Sequence, residues 1–173
     1  MNLTKLFDIQ AGLKKHIGYK GEDKFPKMML AMLVEFMECA NDWQGFKYWK
    51  KQNKPKETLL EEYVDGWHFV LETGLDLLEN DQIIALPKEV SIECIPFYNK
   101  RSDIVMQYKE LIRTVFDLES EVDEGCDYLD VEYQALVEQY LLLGELLGFT
   151  EEQIEQAYMK KNRVNHQRQD EGY

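Results

Sequence analysis

The chain has 173 residues, with 33 Asp and Glu against 20 Lys and Arg, for a formal charge of -13. That balance excludes a general binder of nucleic-acid polymers or anionic membranes, both of which need a net basic surface. Three scattered cysteines, Cys39, Cys94 and Cys126, contain no CxxC pair; they exclude a disulfide framework and a zinc ribbon and suit a reducing cytoplasm.

The N-terminus carries Lys5, Asp8, Lys14 and Lys15 and shows no secretory signal. No apolar run approaches the roughly 20 residues of a membrane span. A single domain over residues 1–173, soluble and cytoplasmic, is expected. Residues 2–17 read as a first helix, with Leu3, Leu6, Phe7, Ile9, Leu13 and Ile17 on its apolar side. Pro26 suits the first turn of a helix running to about residue 43. Thr58 followed by Glu61 is a capping-box pattern opening a helix to about residue 79. The stretch 80–100, with Asn80-Asp81, Pro87, Pro96 and Asn99, reads as one long irregular connection. Helices follow at roughly 102–120 and 127–147; Gly148 is a C-terminal stop, and Thr150 with Gln153 opens the last helix. The predicted class is all-α, a helical bundle.

Two carboxylate pairs stand out, Glu35 with Glu38 and Glu62 with Asp65. The i, i+3 spacing puts both members of a pair on one helical face. That spacing recurs at Glu121/Glu124, Asp127/Asp130 and Glu152/Glu155, where a solvated helix face explains it. The first two pairs differ in their apolar flanks, Met28 to Ala40 and Leu59 to Leu71, which predict interior helices. Acids in such surroundings repel one another and resist desolvation unless cations share the site. Magnesium or manganese, held by oxygen ligands, resolves the conflict.

After the first pair come Lys47, Lys50, Lys51, Lys54 and Lys56, interleaved with Trp43, Phe46, Tyr48 and Trp49. The last helix carries Tyr158, Lys161, Asn162, Asn165, Arg168 and Gln169 at helical intervals. Two concentrations of donors beside a candidate metal site suggest a polyphosphate ligand. A solvated helix end whose basic side chains relieve the dipole is the plainer alternative for the C-terminal run. Core packing is the plainer one for the aromatics, and a buried hydrogen-bonded role for His68. His16 and His166 carry no signal.

Taken in order, Gln10-x-x-Leu13, Glu35-x-x-Glu38, Phe46-Lys47-x-Trp49 and Glu61-Glu62-x-x-Asp65-Gly66-x-His68-Phe69 form a set. It is completed by Tyr158-x-x-Lys161-Asn162-x-x-Asn165-x-x-Arg168-Gln169-x-x-Gly172-Tyr173. The set resembles the dimeric all-α dUTPase family, part of the superfamily of MazG-like nucleoside triphosphate pyrophosphohydrolases, in the type found in Gram-positive bacteria and their phages. The paired acids alone point to the superfamily; the lysine–tryptophan element, His68-Phe69 and the C-terminal run are more specific. Lys14 departs from the pattern, since many relatives carry Asn or Asp at or near that point.

The resemblance implies magnesium-dependent hydrolysis of dUTP, and often dUDP, to dUMP, with manganese able to substitute. It makes Glu35, Glu38, Glu62 and Asp65 the metal ligands, with Glu35 preferred over Glu38 as general base. Lys47, Lys161, Asn162, Asn165 and Arg168 are implied to bind phosphates or order the closed site. Trp49 and Phe69 are implied to sandwich the uracil, with Gln10 and His68 near base or sugar. A homodimer is implied, with helices of both chains near each site and the region around 80–120 moving when substrate binds. Some phage relatives are bound by repressor proteins, a partner this sequence does not establish. Two other readings stay open: a related pyrophosphohydrolase with another base preference, and a helical interaction protein.

Overall fold

A computed structural model describes residues 1–90, 103–126 and 129–172. Among them are six helices: α1 (Thr4–Ile17), α2 (Lys24–Trp43), α3 (Leu59–Glu79), α4 (Ile104–Asp123), α5 (Asp130–Leu146) and α6 (Glu151–Asp170). The all-α expectation holds; the one extended pairing among the described residues is a bridge between Asn2 and Glu89. Of the expected irregular connection, 80–90 is non-helical, whereas 91–100 lies outside the described residues, as do Cys94 and Tyr173. No helix among the described residues is long and apolar enough to cross a membrane.

The two capping predictions part company. At Thr150 both bonds form: its hydroxyl accepts from the Gln153 amide at 3.2 Å and the Gln153 side chain accepts from the Thr150 N–H at 2.9 Å. Thr58 precedes α3 as expected, but its hydroxyl donates to Asp42 at the end of α2, so no capping box forms. Asp42 is buried and also takes the Lys56 ammonium. That clasp joins the end of α2 to the start of α3, so the two helices run antiparallel.

Helix α3 is the centre of the bundle, contacting α1, α2, α5 and α6. Against α5 it packs through three tyrosine–glycine notches. Tyr63 lies over Gly144, Tyr140 over Gly66 and Tyr133 over Gly74, and a methyl at any of these glycines would overlap the tyrosine hydroxyl. Tyr63 and Tyr140 each donate to the other's carbonyl, at 2.8 and 2.6 Å. Removing the Cβ lets large aromatics bring two backbones close without leaving their hydroxyls unpaired.

Helix α2 differs from the interior helix its composition suggests. Met29, Met32, Phe36 and Cys39 are buried, but Leu30 is 64% exposed and Val34 and Met37 are also open. One apolar stripe therefore packs in the bundle and a second faces outward.

Candidate metal centre

Because α2 and α3 pack side by side, Glu35 comes level with Glu62 and Asp65. One carboxylate oxygen from each lies within 4.8 Å of the others, and all three side chains are half-buried. Burial pushes Glu35 up from an ordinary 4.5 to about 7, with the charges of Asp65, Glu38 and Glu62 adding to the shift. Burial likewise raises Glu62, reinforced by Asp65, Asp42 and Glu38. Asp65 is raised by burial, although Lys161 pulls it back. Three acids held this close each favour protonation of the others.

A cation is what such a group lacks, and oxygen ligands at this spacing suit a hard divalent ion. The group already draws one positive charge. Lys161 reaches from α6 to put its ammonium 2.6 Å from Asp65 Oδ2 and 3.1 Å from Glu61 Oε1. Burial alone would lower that ammonium; its bonds to Asp65 and Glu61 hold it above the usual lysine range. The residues therefore fit a divalent metal, and the lysine partly stands in for one.

The acids open into a cleft of about 280 Å³ walled by four helices, with Glu35 the contribution of α2. Helix α1 supplies Gln10, Leu13 and Ile17; α3 supplies Asp65, His68, Phe69 and Glu72; α6 supplies Lys161, Asn165, Arg168 and Gln169. Of the residues singled out in the sequence, Gln10, Glu35, Asp65, His68, Phe69, Lys161, Asn165 and Arg168 thus share one surface. Glu62 completes the acid group. Glu38 sits one turn beyond Glu35 on the exposed rim, outside the trio, where its charge still acts on Glu35 and Glu62. Asn162 is buried, four residues after Tyr158 on α6, and does not line the cleft.

Lys47 and Trp49 lie apart, on the loop between α2 and α3. Trp49 is 62% exposed, and its ring neighbours are Phe46 and Tyr48. Lys47 donates to the Asn41 carbonyl at 3.0 Å. The loop has its own framework: Gln44 binds the Lys54 carbonyl and Asn53 binds the Lys47 carbonyl, while Asp42 holds its far end. In one chain the tryptophan and Phe69 do not face each other.

One cleft residue escaped notice in the sequence, Glu72; the buried Tyr158, named with the C-terminal run, stands behind the cleft. Glu72 bonds Gln10 at 2.9 Å and Lys24 at 2.8 Å. Its signal was present: Asp65, His68, Phe69, Glu72 and Asp76 fall at helical intervals along one side of α3. Acids at one end, donors from α6 and an aromatic wall give this cleft the means to hold a cation, a polyphosphate and a planar ring together.

A family model described as dUTPase matches residues 2–173. No curated protein matches the chain.

Proposed function

Since this chain belongs to the dUTPase family and is a dUTP diphosphatase, we propose that the cleft is its active site, with magnesium as the working ion. Hydrolysis of dUTP is the family's reaction, and its members use a divalent metal. The finer reading is that dUTP, and dUDP as well, is cleaved to dUMP by water, with manganese able to replace magnesium. The observation that supports it is the acid trio of Glu35, Glu62 and Asp65, held together at a cost that a bound cation would remove.

Glu35, Glu62 and Asp65 are the proposed ligands, with Glu38 joining from the rim. When bound, the ion neutralises phosphate oxygens and makes nearby water more acidic. Glu35 is the proposed base: its Oε would accept the proton of the attacking water, a role suited to a half-buried carboxylate set beside the proposed ion. Lys161 exchanges Asp65 for phosphate, and Asn165 and Arg168 hold the chain along the α6 wall. Such charge-assisted contacts strengthen as charge develops on the leaving pyrophosphate. Phe69 offers one face to the uracil. Trp49 is assigned the other, and its outward position requires the α2–α3 loop to swing in or a partner chain to deliver it. Lys47 travels with it as a phosphate donor, while Asn162 supports the wall from behind.

The outer stripe of α2 bears on assembly. Leu30, Val34 and Met37 border an apolar groove that continues past Trp43 and Phe46 to Tyr108 and Ile112. A second copy covering this face would explain why a helix apolar on both sides persists in an acidic protein. Val34→Glu should convert a dimer to a monomer in light scattering; a monomeric unmodified protein would remove the proposal.

A panel of dUTP, dUDP, dTTP, dCTP and dATP with magnesium tests the function. Selective turnover of dUTP and dUDP is expected. Comparable kcat/KM for dUTP and dTTP would leave only the broader pyrophosphohydrolase reading.

A further inference from the structure

We infer that Glu72 and Tyr158, acting through Gln10, fix His68 in its Nδ1–H tautomer, so that the bare Nε2 accepts a hydrogen bond from the nucleoside end of the substrate. The inference rests on the reading of the cleft as the dUTP site.

The argument follows the protons. Gln10 is 1% exposed and bonded at both ends of its amide. Its Nε2 lies 2.9 Å from Glu72 Oε2, while its Oε1 lies 2.6 Å from the Tyr158 hydroxyl and 2.9 Å from His68 Nδ1. An ionised carboxylate only accepts, so the amide must turn its N–H toward Glu72. Lys24 lies 2.8 Å from the other oxygen of Glu72 and is in turn anchored 2.8 Å from Asp76. With the amide so oriented, Oε1 is the acceptor for both Tyr158 and His68, and both must donate. Burial pushes His68 down to about 3, so the ring is neutral and carries one proton. That proton is on Nδ1. The phenol of Tyr158 stays protonated, since burial raises it, and its ring stacks on the imidazole with centroids 4.4 Å apart.

Nε2 is left with a lone pair and no partner among the described residues. His68 is 6% exposed and lines the cleft three residues after Asp65. A buried acceptor without a donor is costly, and on the wall of an open cleft its donor is a water or the ligand group that displaces it. Phosphate oxygens offer no proton at neutral pH, and magnesium prefers oxygen to imidazole nitrogen. A base N–H or a sugar hydroxyl remains. Gln10, by contrast, has both ends of its amide occupied by the protein, so it is a positioning residue.

Nitrogen NMR of protein labelled in its three histidines reads the tautomer directly. His16→Gln and His166→Gln remove the other two signals for assignment. A neutral Nδ1–H His68 at pH 7 is expected; an Nε2–H or doubly protonated ring overturns the inference. Saturating dUMP should shift the Nε2 resonance, and no shift overturns it. Loss of that shift with N3-methyl-dUMP assigns the donor to the base, and loss with the 3′-deoxy analogue assigns it to the sugar. A shift that survives both changes counts against the inference. Glu72→Ala should give a mixture of tautomers and raise KM for dUTP roughly tenfold with a smaller change in kcat. Glu72→Gln, whose own carbonyl can accept from Gln10, should restore the single tautomer. An unmixed Nδ1–H ring in Glu72→Ala removes Glu72 from the chain of control. The tautomer is read without substrate or metal, so its failure leaves the dUTP assignment standing. Absence of dUTP hydrolysis with the tautomer intact would instead remove that assignment.

Discussion

The Lys161 ammonium lies 2.6 Å from Asp65 Oδ2, so the substrate-free site holds its own counter-ion, delivered by the helix that also carries Asn165 and Arg168. Occupation of the site by a divalent ion and a polyphosphate asks the lysine to give up a carboxylate for a phosphate. On the proposed reading, the same side chain competes with the metal before substrate arrives and assists the reaction afterward.

Lys161→Met should separate those roles. Without nucleotide, magnesium binding should tighten in calorimetry, because a competing cation is gone. The kcat/KM for dUTP should fall roughly 10- to 100-fold, the value of a charge-assisted contact. Unchanged kcat/KM would reduce the C-terminal run to a solvated helix end.

Glu35→Gln and Glu38→Gln should differ in degree. Glu35 belongs to the trio and Glu38 stands on its rim. The first should abolish magnesium-dependent turnover while raising metal-free stability by about 1–3 kcal/mol, after allowance for solvent around the half-buried carboxyl. The second should weaken metal binding and leave measurable activity. Equal loss in both would show that the metal recruits the rim glutamate fully.

The pH dependence of metal-free stability should carry the mark of Glu35. Its folded value of about 7 exceeds the ordinary 4.5, so its contribution to stability falls as pH rises through that window. His68 acts oppositely. Its folded value of about 3 lies below 6.5, so stability present above 6.5 is lost as pH falls toward 3. Subtracting the Glu35→Gln denaturation profile from that of the unmodified protein isolates the first term. The difference should decline from about pH 4.5 to about pH 7, and saturating magnesium should reverse its sign at pH 8. A flat difference would mean the trio is fully solvated.

Asp42→Asn tests the clasp that holds the loop of Lys47 and Trp49. Burial acts to raise this carboxyl, but Lys56 and Thr58 outweigh it and hold it below the ordinary range. The variant should lose about 1–3 kcal/mol at neutral pH in chemical denaturation. In the unmodified protein this contribution should fade as acid protonates Asp42. A loss below about 0.5 kcal/mol would mean the loop is held by other bonds.

Local signals in the sequence carried the fold well. Gly148 and the Thr150–Gln153 box ended and began helices where expected because those bonds close within a few residues. Thr58 misled because its hydroxyl had a distant partner, Asp42, that no local pattern contains. The acid pairs were legible from apolar flanks, yet the flanks of α2 suggested full burial where half the stripe faces out. The polar chain behind the cleft was harder. Gln10, Glu72 and Tyr158 belong to three helices, and their meeting depends on packing rather than spacing. His16 and His166, silent in the sequence, meet at 2.8 Å where α1 and α6 end.

Gly66→Ala should be more damaging than its size suggests. The added methyl would overlap the Tyr140 hydroxyl, itself bonded at 2.6 Å to the Tyr63 carbonyl. About 1–3 kcal/mol should be lost in thermal unfolding. Tyr140→Phe on the same background should recover part of it, since the nearest clashing atom is gone, although the ring carbon at 2.8 Å remains. No recovery would locate the damage in α3 itself.

The three tyrosine–glycine notches have a mechanical meaning for catalysis. They key α3 to α5 at Gly66, Gly74 and Gly144, as teeth prevent one rail from sliding along another. Glu62 and Asp65 lie within about one turn before the first key and share its place on α3. On the proposed reading, α3 is the fixed jaw of a vice, and adjustment to cargo of different size would fall to α2 and α6, neither of which is keyed to it by such a notch among the described residues. Differences in catalytic pace among variants should therefore follow the freedom of those two helices, with the anvil between them unchanged.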